Sequence, residues 1–193
     1  MHLDGSYRGH KAPPGSYRFT LTLGGRTATT DAAILANPLY AADAPTYAEY
    51  NAFMSGMEGE LAQMNATINR LTAIRERLTA VLGALPTGEK YAAIRRDGAA
   101  LQSKLTAWDG DMVSRQTKVY DDVENFPQKF TANYLFLINE TESDLPRVNQ
   151  PSRDRRAELD KEWEALKARA DAMLGGDIPA LNRQLWEVGI GAI

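Results

Sequence analysis

The hydrophobic pattern of this chain changes once, near residue 40. Before that point apolar residues alternate with Ser, Arg and Thr, and the apolar positions are Tyr17, Phe19, Leu21 and Leu23. A period of two predicts a β-strand with one face buried and the other in water. Gly24-Gly25 can adopt the positive φ angles of a tight turn. Residues 26–34 are therefore predicted to return as the second strand of a hairpin.

From residue 45 onward the apolar residues follow helical spacing. The first helix is predicted over about residues 46–85, with Thr46 as its N-cap and Pro86 just beyond its end. Its apolar positions step by four and three residues, as in a heptad repeat. They are Met57, Leu61, Met64, Ile68, Leu71, Leu78, Leu82 and Leu85. Arg75 interrupts this seam, where it either specifies a register or partner or, as we favour, reaches the edge of the bundle.

Further helices are predicted downstream. A second helix begins after Thr87, and Asp109-Gly110-Asp111 is interpreted as a turn or break followed by a shorter helical stretch through Val119 and Val123. Pro127 is predicted in the first turn of a third helix, and Pro151-Ser152 is predicted to begin the last long helix. Gly175-Gly176 is predicted to end that helix, and Asp177 is predicted to cap a final short one.

These patterns predict a mainly α fold, an elongated antiparallel three- to four-helix bundle preceded by a short β-hairpin. We divide the chain into a hairpin over residues 1–40 and a helical bundle over residues 41–193. A two-stranded ribbon is marginal alone in water. The apolar face of the hairpin is therefore expected to be covered by the helices or by a second copy of the chain.

Composition narrows the function classes. The chain has 193 residues, a net charge of −3 and no cysteine, so it has no basic footprint for nucleic acid and no thiolate site. No apolar run approaches the roughly 20 residues that span a bilayer, and no signal peptide is visible at the start. No nucleophile, zinc or phosphate-loop motif occurs, so we expect no enzyme and no cofactor.

A few polar groups are candidates for binding. Arg153, Arg155 and Arg156 lie in the first turn of a helix, where cations oppose the helix dipole; they are interpreted as ion-paired, with an anion or partner contact as the alternative. The acidic groups Asp109/Asp111 and Asp121/Asp122/Glu124 lack calcium-loop spacing, so turn and surface roles are favoured over a metal site. His2 and His10 have no accompanying second ligand or base.

Apolar side chains at helical spacing favour core roles. Met54, Met57 and Met64 form a stripe that is interpreted as core rather than as an adaptable binding face. Four aromatic side chains from different helices of the predicted bundle are expected to share one cluster inside it, unless an exposed patch marks a docking surface. They are Phe126, Phe130, Trp163 and Trp186.

Four short motifs also stand in order along the chain: Pro14-Gly15-Ser16-Tyr17, Asn37-Pro38, Asn125-Phe126-Pro127 and residues 177–182 (DIPALN). Together with the heptad helix, they resemble the C-terminal region of bacterial sialidase-like, BNR-repeat or sortilin-type β-propeller proteins, which are often labelled glycosyl hydrolases. In that family an Ig-like strand segment and a helical tail follow a propeller. The junction here is Asn37-Pro38-Leu39 rather than Asp-Pro-Arg, and the sequence contains no propeller.

The resemblance implies an accessory module rather than a catalyst, because the enzymatic label belongs to the propeller. The expected function is a non-enzymatic interaction module for such a propeller protein. The alternatives are a self-associating dimer and, by family label only, a carbohydrate-active enzyme. The interaction surface is expected at Tyr17, Phe19, Leu21 and Leu23, with Arg153, Arg155 and Arg156 as further candidates. The resemblance suggests a periplasmic or extracellular location.

Overall fold

The computed structural model describes residues 9–119, 122, 124–142 and 146–193, and it is mainly α-helical with a short hairpin in front. The hairpin comprises β1 (Gly15–Leu23) and β2 (Arg26–Ile34). In the described ranges five α-helices follow, with a 3-10 turn (Glu89–Tyr91) before the second and a π-helical turn (Met173–Asp177) before the fifth. They are α1 (Ala44–Ala84), α2 (Ala92–Met112), α3 (Phe130–Thr141), α4 (Gln150–Ala172) and α5 (Ile178–Glu187).

The hairpin has the register that its two-residue loop demands. Leu23 lies opposite Arg26, and Gly24 and Gly25 take φ angles of 54° and 76°. Both angles are positive, a region that glycine reaches without steric cost. The antiparallel register then places Phe19 opposite Thr30 and Leu21 opposite Ala28 on one face of the ribbon.

The helices form an elongated bundle in which α1 is the longest element. Its 41 residues span about 60 Å at 1.5 Å per residue. The side chains of Arg75 and Thr79 bond Asp109 and Gln102 respectively, so α2 runs antiparallel to α1. Asp177 and Gln184 likewise bond Lys104 and Asp97, which makes α5 antiparallel to α2.

The helices are arranged in three roughly parallel columns: α1 forms the first, and α4, continued by α5, forms the second. Glu49 pairs with Arg153 and Glu60 accepts from Trp163, so α4 runs parallel to α1. Tyr134 bonds Asp160 while Phe130 stacks on Trp163, so α3 is antiparallel to α4. Helices α2 and α3 therefore run in the same direction and together form the third column, which is interrupted between them.

The predicted heptad seam of α1 supplies the core. Met57, Met64, Ile68, Leu71 and Leu78 are buried, while Leu61 and Leu82 pack at its edge. Burial also confirms that the methionine stripe belongs to the core, because Met54, Met57 and Met64 are fully enclosed. Flexible, polarisable Met side chains fill irregular gaps between helices. The core therefore depends on the periodicity visible in the sequence.

The first helix begins earlier than predicted. Asp43 is its N-cap, and the Asp43 carboxylate accepts from the backbone N–H of Thr46 at 3.0 Å. Pro45 occupies the first turn, where its missing N–H costs nothing. The prediction of Thr46 as the N-cap is therefore wrong by three residues.

Two predicted breaks are also wrong. Asp109-Gly110-Asp111 lies inside α2. Asp109 is buried and paired with two arginines, and these contacts stabilise the helix through this stretch. Gly175-Gly176 does not end α4, because a π-helical turn carries the chain directly into α5. Asp177 occupies the N-cap position of α5 as predicted, but its side chain makes no capping hydrogen bond. Both glycines keep negative φ angles, so neither forms the left-handed cap that a glycine stop requires.

The segment between α2 and α3 also differs from the prediction. Residues 113–119 are not helical, and Pro127 precedes the helix that it was expected to open. That helix begins at Phe130, after Lys129. Val123 and Asp121 lie outside the described residues. This irregular segment interrupts the third column and opens a groove at the break.

Candidate functional site

The apolar face of the hairpin is exposed to solvent in the described structure. Phe19, Leu21 and Leu23 are 55%, 68% and 78% exposed. The expectation that the helices cover this face is therefore wrong: the hairpin projects from the bundle, and its strands contact chiefly each other. Tyr17, at the root, is half-buried, and its hydroxyl donates to the Pro13 carbonyl at 2.6 Å.

The opposite face of the hairpin is polar. Arg18 forms a two-point ion pair with Asp31 at 2.9 and 3.2 Å, and Thr22 bonds Thr27 across the strands. These groups are solvated and each pair contributes little stability. The ribbon is thus amphipathic, and no described residue covers its apolar side. We call the side chains of Tyr17, Phe19, Leu21 and Leu23 the ribbon face.

A histidine attaches the root of the ribbon to the bundle. The His10 ring lies within 3.0 Å of both a Glu58 carboxylate oxygen and Asn51 Oδ1, and the His10 N–H donates to Glu58 at 2.7 Å. Burial alone would lower the pKa of His10, but the acceptors Asn51 and Glu58 outweigh it and raise the pKa above its ordinary value. Sequence reasoning missed this role because Glu58 is 48 residues away. His2 lies outside the described residues.

A cavity of about 250 Å³ lies at the same junction, and Pro13, Ile34, Tyr47 and Tyr50 are among its lining residues. Tyr50 is 4% exposed, and its hydroxyl has no hydrogen-bond partner in the described structure. Burial and the charges of Glu142 and Glu58 raise the pKa of Tyr50 to about 12. The hydroxyl therefore stays a neutral, unpaired donor at physiological pH.

The three candidate arginines are ion-paired. Arg153 bonds Glu49 at 2.6 Å, and Arg155 bonds Glu158 at 2.8 Å within its own helix. Arg156 donates to Asp160 and to the Phe53 carbonyl, with its guanidinium 4.7 Å from the Phe53 ring centroid. These contacts support the ion-paired interpretation, since Arg153 and Arg156 both tie α4 to α1.

Of the acidic groups, Asp109, Asp111 and Asp122 have hydrogen-bond or ion-pair partners. Asp109 is 6% exposed and accepts from Arg115 and Arg75, so Arg75 stays at the edge of the bundle with its charge directed at a partner. The Asp122 carboxylate accepts two backbone N–H groups, those of Lys118 and Val119. No group of three or more His, Cys, Asp or Glu side chains in the described ranges is arranged to hold a metal ion.

The aromatic residues do not all share one cluster. Phe130 and Trp163 stack at 6.2 Å in the core, whereas Trp186 is 62% exposed and Phe126 is half-buried.

In the described part of the chain, no helix has both the length and the apolar character needed to cross a membrane.

Comparison with protein-family models, with curated proteins and with solved structures gives no match for this chain. The function is therefore inferred from the residues exposed on its surface.

Proposed function

We propose that this chain is a non-enzymatic protein-interaction module that docks through its ribbon face onto a partner built of β-structure. A sialidase-like β-propeller protein is the partner that the sequence resemblance implies. The observation that supports the proposal is the exposure of Phe19, Leu21 and Leu23 on one side of a projecting hairpin. A contiguous apolar patch on a protein surface typically marks a docking site.

The size of the ribbon favours a larger partner over a second ribbon. Nine residues per strand give a length of about 30 Å, and a two-stranded width near 10 Å gives about 300 Å² per face. Stacking two such faces would bury about 600 Å² in total, well below the roughly 1,200 Å² of a stable interface. A partner that also pairs with an edge strand would bury more and satisfy free backbone groups.

Complex formation tests the proposal. The chain is mixed with a sialidase-like propeller protein from the same genome, and the mass of the product is measured by light scattering after gel filtration. We expect a one-to-one complex that the double variant Phe19→Ser/Leu21→Ser abolishes. The matched control, Thr20→Ser/Thr22→Ser, changes the polar face of the same strand and is expected to leave the complex intact.

Four results would contradict the proposal. A complex that survives the ribbon-face substitutions would show that docking uses another surface. If no complex forms, a propeller protein is not the partner. A dimer of the chain alone that the same substitutions dissociate would favour self-association instead. Hydrolysis of a panel of glycosides or peptides by the purified chain would contradict the non-enzymatic function.

A further inference from the structure

A groove lies where the third column of the bundle is interrupted between α2 and α3. Its volume is about 470 Å³, which is within the range of small-molecule sites. The walls come from α1, from the irregular segment after α2 and from the first two turns of α3. Leu61, Val113, Phe126 and Leu135 are apolar lining residues, and Ser114, Thr117 and Gln128 are polar ones. The groove therefore has both an apolar wall and hydrogen-bonding groups.

The groove is positively charged. Arg115 and Lys129 line it, and the described lining residues include no acidic side chain. Asp109 lies behind Arg115, but it accepts from both Arg115 and Arg75. One carboxylate thus faces two guanidinium groups, and Lys129 adds a further positive charge. The local excess of positive charge would attract an anion.

Arg115 is held in a fixed orientation. Its Nε and Nη2 donate to the two Asp109 oxygens at 2.9 and 2.6 Å, and Nη2 also reaches the Thr72 hydroxyl at 3.4 Å. Within the described residues Nη1 has no acceptor, and the side chain is 54% exposed. A guanidinium that is held on one edge and free on the other loses little entropy when it binds a carboxylate or phosphate.

Lys129 occupies a position that helix stability alone does not explain. It is the N-cap of α3 and makes no capping hydrogen bond from its side chain. Ser, Thr, Asp and Asn are favoured at an N-cap, and a cation there opposes the helix dipole. Departures from such local rules concentrate at functional sites. Lys129 lines the same groove as Arg115, so the two cations share one site.

We propose that this groove binds a small organic anion, with its carboxylate or phosphate group between Arg115 and Lys129. The apolar body of the ligand would contact Leu61, Phe126 and Leu135. The charge of the groove determines the class of ligand, and the mixed lining favours an anion with an apolar part over a bare inorganic ion. This site is separate from the ribbon face, and its occupation does not depend on the proposed docking function.

Four probes test the proposal by NMR titration of the full chain at constant ionic strength. Phenyl phosphate and phenylacetate carry a charge and a ring, inorganic phosphate carries only charge, and benzyl alcohol carries only the ring. We expect saturable binding of at least one ring-bearing anion, about tenfold tighter than inorganic phosphate, because the ring buries apolar area. The better of the two anions identifies the headgroup. Shifts are expected at residues 113–117 and 126–135.

Variants separate a site from general charge attraction. Lys129→Gln is expected to weaken binding about five- to tenfold through loss of a charge-assisted hydrogen bond, while Lys161→Gln, an exposed lysine on α4, is expected to leave it unchanged. Lys129→Ser supplies a capping hydroxyl, so it should raise the melting temperature while it weakens binding. Three outcomes would overturn the proposal: equal loss of binding in both Gln variants, equally tight binding of benzyl alcohol, or no saturation by either ring-bearing anion at about 10 mM.

Discussion

Asp109 offers the sharpest test of the energetics, because Asp111 provides a matched control two residues away in the same helix. Both aspartates pair with an arginine, but the Asp109 side chain is 8% exposed and the Asp111 side chain 50% exposed. Removing one partner of a buried ion pair costs about 3–5 kcal/mol. The Arg75 and Arg115 side chains are 25% and 54% exposed, so water can solvate the unpaired guanidinium groups and lower this cost. We therefore expect Asp109→Asn to lower the free energy of unfolding by about 2–3 kcal/mol.

The assay is thermal and urea unfolding of Asp109→Asn beside Asp111→Asn. A chain of this size loses about 2–4 °C of melting temperature per kcal/mol, so Asp109→Asn should lower it by about 4–12 °C. An exposed pair contributes about 0–1 kcal/mol, so Asp111→Asn should lower it by no more than about 4 °C. Equal effects of the two substitutions would refute the assignment of Asp109 as a buried, doubly paired carboxylate.

The difference between wild type and Asp109→Asn should also depend on pH. Burial alone would raise the pKa of Asp109, but the bonds and charges of Arg115 and Arg75 outweigh it and hold the pKa below its ordinary value. A depressed folded pKa means that the stabilisation is complete above the unfolded value of about 3.9. It disappears as the pH falls through the folded pKa. The two proteins should therefore converge in stability in strong acid, and a gap that persists there would contradict the charge-based explanation.

The remaining predictions concern the root of the ribbon and the core. Because the pKa of His10 is raised by Asn51 and Glu58, its contribution to stability is complete below about pH 6.5 and lost as the pH rises through the folded pKa. The melting-temperature difference between wild type and His10→Asn should therefore shrink in alkali, and a constant difference would contradict this. Tyr50→Phe removes an unpaired hydroxyl, so it should be neutral or stabilising by about 1 kcal/mol in urea unfolding. Tyr134→Phe removes a hydroxyl bonded to Asp160 at 3.0 Å and should cost about 1–2 kcal/mol; the reverse order would be inconsistent with the structure.

Local periodicity was sufficient to predict the main elements. The alternation of Tyr17, Phe19, Leu21 and Leu23 identified β1, and Gly24-Gly25 identified its turn. The four-three spacing from Met57 onward identified the buried seam of α1. These signals are short-range, and each reports which face of an element is apolar. The mainly α fold with a leading hairpin follows from them and is confirmed.

The features that the sequence did not predict depend on contacts between residues far apart along the chain. Asp109-Gly110-Asp111 has the composition of a turn, yet Arg75, 34 residues earlier, neutralises Asp109 and lets α2 continue through it. His10 has the appearance of an unpaired residue because its acceptor lies far along α1. Periodicity also cannot show whether an apolar face has a partner within its own chain. It predicted the ribbon face correctly as apolar. Of the two covers expected for that face, the helices do not provide one, and a second copy of the chain stays a prediction.

Hydrogen exchange of the hairpin amides, measured in the free chain and in its mixture with the propeller protein, tests the central claim most directly. An isolated two-stranded ribbon is marginally stable, so the amides of β1 and β2 should exchange quickly in the free chain. Docking through the ribbon face should slow their exchange at least tenfold, about 1.4 kcal/mol of added protection, while Phe19→Ser/Leu21→Ser removes the effect. A complex in which these amides exchange as fast as before would contradict the claim that the ribbon is the docking surface.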